Sequence, residues 1–548
     1  MKILAPATPI PSSRAAHVPV RQGPGPAPPK DAFSASLPAL LAQVPQLAAK
    51  GPAHTQLIAS QLGPLLQQAL SDPAAEARML KILADLNATG QLKPVLHEVA
   101  AQAAASGSMP PLPEAKRRAM VDQLAGMIDA QFQAHGMTPE THGQTYESWD
   151  QLSAQNLAKV RNSQVAPRGP GELSCFTEPA FVAEMESLQG AKFQGGNRIT
   201  PLIDGPASFA KRNELIDGAQ KSIHLMSWAF YDDETGWETA HKLVEKKAQG
   251  LEVRVVVDGQ IAAGPGHNAT LDYMEKMGVE VVRWRSSDRP YDGQHRKVMI
   301  VDGQQAVAGG LNVGNVYSHQ GEGPKWRDTD VLIEGPAVGE CEKLFAQVFG
   351  KGEASSFASP AAVGSARCAV VNHVPGPDGD AHILLATLKA IQGASESIDI
   401  ENAYVITTPD IRQCILDALE RGVKVRILTN SAESVDEPIV SAPILKSLPD
   451  LVSAGAEVYL KQGDTLHSKF MVVDGLYSSV GSYNLHPRSH RYEGEMTINT
   501  LDIQKASHLT SAFEKDIQLA KRVGSTEEIQ VPENIFTQLA SRYFFDHL

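Results

Sequence analysis

The 548-residue sequence predicts an α/β protein of two related halves, preceded by a small all-α domain and a disordered tail. Three observations predict it. Strand-like apolar runs alternate with amphipathic helical stretches from about residue 170 onward. The alternating unit occurs twice. The residues before 167 differ from the rest in composition and in charge.

Residues 1–30 hold eight prolines and almost no hydrophobic periodicity, so a disordered tail is predicted over 1–36. A helical domain is predicted over 37–167. In "SDPAAEARMLKILADL", Ser71 or Asp72 is the helix cap and Pro73 lies in the first turn. Met79, Leu80, Ile82 and Leu83 follow at helical spacing. "VLHEVAAQAAA" and "PEAKRRAMVDQLAGMIDAQFQ" are two further helices. Residues 1–167 carry 13 Lys/Arg against 11 Asp/Glu, a balance of +2, so the remainder carries -15 of the total -13. That shift marks a boundary near "VAPRGPGELS".

The first half, 168–358, contains the strands "SIHLMSWAF", "LEVRVVVDG", "VEVVRW", "KVMIVDG" and "AVAGG". The helices "ETAHKLVEKKAQ" and "ATLDYMEKMG" lie between them. The second half, 359–548, repeats the plan. "KSIHLMSWAFYDDETGWETAHKLVEKKAQGLEVRVVVDG" corresponds to "ESIDIENAYVITTPDIRQCILDALERGVKVRILTN", and "GVEVVRW" to "GAEVYLK". A repeat of this length implies two related domains rather than a solenoid.

Each half then reaches the same motif. The first copy is His295-x-Lys297, four residues, Asp302, six residues, Gly309-Gly310-x-Asn312. The second is His467-x-Lys469, four residues, Asp474, six residues, Gly481-Ser482-x-Asn484. On a strand, residues two apart share a face, so each His is expected beside its Lys, with Arg296 and Ser468 facing away. The apolar run that follows anchors the strand, Asp-Gly makes a turn, and the small residues allow close backbone approach.

Those residue types suit phosphodiester chemistry. Two lysines and two Asn amides can hold the phosphoryl oxygens as they gain charge. One imidazole can attack phosphorus while the other protonates the leaving alkoxide and then activates water or an alcohol. No cofactor or metal is required. Glu495 and Asp328, with Asp330 as rival to Asp328, are the carboxylates available to orient the imidazoles. A single His-x-Lys is usually a surface feature, and Asp-Gly an ordinary turn. Two copies at identical spacing favour the catalytic reading.

These residues resemble the phospholipase D superfamily, whose signature is two HxKxxxxDxxxxxxG(S/G)xN motifs, over about 190–530. "WAFYDDETG", "RDTDVLIEGPAV", "LTNSAESVDEPIV" and "GSYNLHPRS" resemble the bacterial cardiolipin synthase branch, especially its soluble form. The resemblance implies phospholipase D-type halves with mixed sheets, packed around one shared active site that is complete in one chain. It implies His295 as nucleophile and His467 as acid/base. It also implies carboxylates that cross over, Glu495 to His295 and Asp328 to His467. Asp302, Asp474, Gly309, Gly310, Gly481 and Ser482 then have structural roles. The implied activity is phosphodiesterase or phosphatidyltransferase action on a phospholipid at a membrane surface, with water or an alcohol as acceptor, cardiolipin synthesis being one case. Two positions depart from the branch. His486 stands where Asp is usual, and Glu493 where Asn is frequent.

A nuclease of the same superfamily is the rival reading. The net charge of -13 and pI near 5.7 disfavour nucleic acid as partner. Four cysteines without a CxxC pair give no zinc site or disulfide framework. No apolar run is long enough to span a bilayer, and Ile3–Ala5 is too short for the core of a signal peptide. A cytoplasmic or peripheral membrane location is expected. The Pro-rich leader also suits a bacterial effector exported without a signal peptide. Trp228, Phe230, Tyr231, Trp326 and Tyr404 are candidates to line a lipid channel, against a default of core packing. Asn430, Ser431, Ser434 and Asp436 form a polar loop that either contacts a headgroup or is a plain turn.

Overall fold

The computed structural model describes residues 51–134, 148–289, 291–350, 360–376 and 379–548. The Pro-rich tail and the start of the predicted helical domain lie outside them. The helical domain is built from α1 (Pro52–Ala69), α2 (Pro73–Ala88), α3 (Leu92–Ser106) and α4 (Glu114–Asp129). Asp72 caps α2, its carboxylate accepting from the Ala74 N–H at 2.9 Å, and Pro73 opens the helix.

The first half contributes β1 (Gln194–Ile203), β2 (Ser222–Ser227), β3 (Glu252–Asp258), β4 (Glu280–Trp284), β5 (Gly293–Gln294), β6 (Val298–Val301), β7 (Gln305–Gly309) and β8 (Thr329–Glu334). The second contributes β9 (Ala366–His373), β10 (Ser397–Asn402), β11 (Lys424–Asn430), β12 (Glu457–Lys461), β13 (Lys469–Val473), β14 (Tyr477–Gly481), β15 (Glu493–Leu501) and β16 (Ala520–Arg522).

The halves form one mixed sheet in the order β16-β12-β11-β10-β13-β14-β15-β9-β1-β8-β7-β6-β2-β3-β4. Reading outward from the antiparallel β9–β1 seam, the two sides repeat the same order, apart from the added β16. In each half three strands run parallel (β2-β3-β4 and β10-β11-β12), joined by helical crossovers. The motif strands then turn back antiparallel.

Alternation along the strands fills two cores. Met226, Val256, Val298 and Ile300 point into the layer under helices Val338–Phe349 and Ile503–Gln518. Leu225, Val255, Val257, Met299 and Val301 point to the opposite face. The predicted strands are therefore buried on both faces, which explains their near-continuous apolar runs.

Two packing relations depart from sequence order. The helix Trp149–Arg161, grouped by sequence with the helical domain, packs on the second half. There Asn156 donates to Asp410 at 2.8 Å and Arg161 to Asp417 at 2.7 Å. The C-terminal helix Ile535–Tyr543 joins the helical domain in one core with Tyr404, Val435, Ile439 and Val440. Both arise from apolar surface meeting in three dimensions, which local periodicity does not report.

Candidate active site

His295 and His467 do not lie inside regular strand. Each sits in the irregular residues just before its motif strand, where two short parallel pairings cross between the halves. β5 pairs with the start of β15, Gly293 opposite Glu493 and Gln294 opposite Gly494. On the other side Arg327 forms a bridge with Leu466. The His295 N–H donates to Gly494 O at 2.8 Å and the His467 N–H to Arg327 O at 2.7 Å. Each histidine is thus tied by its backbone to the residue preceding the other half's carboxylate.

The side chains follow. His295 Nδ1 lies 3.0 Å from both Glu495 oxygens, and His467 Nδ1 lies 2.6 Å from Asp328 Oδ2. Both carboxylates are fully buried. Asp330 is engaged elsewhere, accepting from Arg212 at 2.7 Å and Ser208 at 2.5 Å. An imidazole whose Nδ1–H donates to a carboxylate presents Nε2 as its reactive atom.

The two dyads are not equivalent. Glu495 also accepts from the hydroxyls of Ser482 and Ser489, the latter at 2.6 Å. Asp328 accepts from the Thr329 N–H at 2.7 Å. At Gly310, the counterpart of Ser482, an added Cβ would stand 2.1 Å from Asp328 Oδ1. The glycine there leaves room for the shorter carboxylate to reach His467.

Lys297 and Lys469 each direct Nζ to the carbonyl of their own histidine, Lys297 to His295 O at 2.6 Å. Burial pushes the Lys297 ammonium down to about 7 and lowers Lys469 as well. Burial pushes Asp328 up to about 6. Burial, then the charges of Lys469 and Lys297, holds His467 well below the ordinary imidazole value. An arriving anion would reverse these lysine and histidine shifts. Arg296 and Ser468 do face away, Arg296 donating to Asn372 and His373 O, and Ser468 to Thr329.

The motif Asn residues differ. Asn312 Oδ1 accepts from Ser227 Oγ and Ala229 N–H, both at 3.2 Å, and its amide donates to Tyr317 at 2.9 Å. Asn484 is buried, with Oδ1 unpartnered among the described residues. Asp302 and Asp474 lie at the distal ends of the motif strands with φ of 55° and 51°. Asp302 accepts from the N–H groups of Gln220, Lys221 and Ser222, and Asp474 from those of Ser395, Glu396 and Ser397. Gly309 and Gly481 allow close backbone contact, with Thr329 O and Met496 O at 2.4 and 2.2 Å from an added Cβ.

His295 and His467 open into one cavity of about 340 Å³. Trp228, Tyr231, Trp326 and Tyr404 line it, whereas Phe230 is in the core. Trp228 meets His295 edge-on at 5.7 Å, and Trp326 stacks on His467 at 5.5 Å. Asn430, Ser431 and Ser434 form a buried network, leaving Asp436 to face the cavity. Six further contributors are not singled out by the sequence, although Ser489 ends the segment "GSYNLHPRS". They are Ser489, the α4 residues Gln123, Gly126 and Met127, and the C-terminal His547 and Leu548. His295, Glu493 and Glu495 place potential ligand atoms within 4.8 Å of one another, a set able to hold a cation.

The family described as cardiolipin synthase, PLD-like domain, matches residues 213–348 and 387–517, one stretch and one motif in each half. The chain is 28% identical over 355 residues to cardiolipin synthase 1 of Staphylococcus aureus (strain MRSA252), covering 61% of this chain and 69% of the relative. It is 28% identical over 366 residues to the major cardiolipin synthase ClsA of Bacillus subtilis (strain 168), covering 62% and 73%. Its fold is similar to that of phosphatidylserine synthase from Haemophilus influenzae Rd KW20. The TM-score is 0.55 at 17% identity, over 66% of this chain and 96% of that one.

Proposed function

The chain belongs to the phospholipase D superfamily and resembles its cardiolipin synthase branch; from that premise we propose that His295 and His467 carry a two-step phosphatidyl transfer within one chain. It is a phospholipase D-type enzyme of phospholipid metabolism. The observation that carries the proposal is the pair of histidines in one cavity, each bound through Nδ1 to a carboxylate of the opposite half.

In the first step the Nε2 lone pair of His295 attacks phosphorus, and the bond to the headgroup oxygen breaks. His467, made cationic by the bound phosphodiester's negative charge, gives its Nε2 proton to that oxygen. The product is an alcohol and a phosphatidyl-histidine. Glu495, held by Ser482 and Ser489, stabilises the charge that develops on His295. Lys297, Lys469, Asn312 and Asn484 hold the phosphoryl oxygens, where charge accumulates in the transition state. In the second step His467 takes a proton from water or an alcohol, which attacks phosphorus and releases His295. Water gives phosphatidic acid. The hydroxyl of phosphatidylglycerol gives cardiolipin, the specific transfer proposed.

Among the described residues no helix is long and apolar enough to cross a membrane. We propose action as a peripheral protein on a bilayer surface. The export reading rests on 1–36, outside the described residues, and the relatives lend it no support. The test is product analysis with phosphatidylglycerol vesicles. Cardiolipin or phosphatidic acid is expected from the wild type and neither from His295→Ala, whereas product from the variant at the wild-type rate removes His295 from the mechanism.

A further inference from the structure

The cavity is chemically lopsided. Besides His295, the first half lines it with aromatic and apolar side chains. Its lining carboxylates, Asp436, Glu437 and Glu493, all come from the second half. Arg488 is the one Lys or Arg that lines it among the described residues, and its guanidinium is already engaged by Glu493 at 2.8 Å and Tyr291 at 3.0 Å. Asp436 accepts from the Tyr404 hydroxyl at 2.8 Å. Neither Asp436 nor Glu437 forms an ion pair, and the Glu437 carboxylate accepts no hydrogen bond, among the described residues.

An independent observation marks the same side. Asn484 is 2% exposed and lines the cavity, yet among the described residues its Oδ1 has no donor. Its counterpart Asn312 is satisfied at both amide atoms. Among the described residues the second-half wall therefore presents two acceptor groups without a donor, the Glu437 carboxylate and Asn484 Oδ1, and an acidic pair in no ion pair. Leaving the buried Asn484 Oδ1 unmet is costly, whereas Asp436 and Glu437 are half-buried. Burial, then the neighbouring Asp436 charge, pushes Glu437 up to about 7 against the opposing charges of Arg488 and Lys469. The helical domain closes this wall. The Ile439 N–H, next to the acidic pair, donates to Gln123 of α4 at 3.3 Å, and Gly126 and Met127 of α4 line the cavity beside it.

We propose that Asp436, Glu437 and Asn484, closed over by α4, form a subsite for the primary ammonium of a zwitterionic phospholipid headgroup. The proposal rests on the phosphatidyl-transfer reading and names the donor lipid within it. A phosphodiester brings one negative charge, which the histidines and lysines meet. A second charge of opposite sign on the departing amino alcohol matches the acidic wall. An ammonium has three N–H donors to share among the Glu437 carboxylate, Asn484 Oδ1 and Asp436, whereas a quaternary ammonium has none and a glycerol headgroup brings no charge. The chemistry is unchanged: the bond from phosphorus to the amino-alcohol oxygen breaks, and His467 protonates that oxygen.

The full-length protein is assayed on vesicles containing equal phosphatidylethanolamine and phosphatidylglycerol, measuring released ethanolamine and glycerol. The wild type is expected to release ethanolamine at least about tenfold faster, and Glu437→Gln to reduce that ratio by about tenfold, the weight of one charged hydrogen bond. Glycerol release equal to or faster than ethanolamine release overturns the proposal, as does an unchanged ratio in a folded Glu437→Gln protein. The wild-type ratio decides the matter even if the variant does not fold. Failure of the underlying reading looks different: neither headgroup is released, and bis(p-nitrophenyl) phosphate is not cleaved in a His295-dependent way.

Discussion

Replacing Asp328 by Asn separates the roles of the two histidines. The 2.6 Å contact with His467 Nδ1 lies in a fully buried site. Unit charges about 4 Å apart at an effective dielectric of about 20 interact by about 4 kcal/mol. Removing the carboxylate withdraws that stabilisation from an imidazolium, whereas a neutral imidazole never had it. The general-acid step should slow by roughly a thousandfold. The loss must depend on the leaving group. A phospholipid alkoxide needs the His467 proton, whereas p-nitrophenolate departs without it. Single-turnover kinetics should therefore show the full loss with phospholipid and less than about tenfold in the first burst with bis(p-nitrophenyl) phosphate. Glu495→Gln should slow both substrates, because it acts on the attacking histidine. Equal losses for both substrates in Asp328→Asn would refute the acid role of His467.

Three further outcomes follow from the geometry. kcat/KM should be bell-shaped in pH with its optimum between about 6 and about 7. Below that window Asp328 gains a proton and ceases to serve His467, and above it Lys297 loses its charge; a flat profile from 5 to 9 would contradict this. Gly310→Ser should cut activity by about a hundredfold and lower the melting temperature, because its side chain displaces the buried Asp328, whereas Ser482→Ala should cost about tenfold by removing one hydroxyl from Glu495. Asp474→Ala should lower stability by about 3 kcal/mol, measured by urea unfolding, because three backbone N–H groups lose their acceptor and Ala sits poorly at positive φ; an unchanged unfolding midpoint would contradict it.

What could be read from the sequence was local or periodic. The apolar strand runs, the Asp72-Pro73 helix start and the two equally spaced motifs are encoded within a few residues of one another. The length of the repeat sufficed to divide the α/β region into two halves. Other features depend on contacts between distant segments. The β9–β1 pairing that joins the halves, the seating of Trp149–Arg161 on the second half, and α4 as a cavity wall leave no periodic trace. His295 and Lys297 were expected on one strand face, but the crossing of β5 to β15 holds them just before the strand. Of the aromatic candidates, Phe230 went to the core and the others to the cavity, a division set by packing. Asp232 and Asp233 accept from backbone N–H groups at the starts of two helices, a pairing of distant segments in the case of Asp232.

The most direct test of the account is chemical trapping. His467→Ala protein is mixed with bis(p-nitrophenyl) phosphate, quenched in base and digested, and its peptides are analysed by mass spectrometry. Formation of the intermediate does not need His467 with this leaving group, but its breakdown does. The account predicts p-nitrophenyl phosphate bound covalently to His295, with one p-nitrophenolate released per chain. No adduct on His295, despite a burst of p-nitrophenolate, would contradict it.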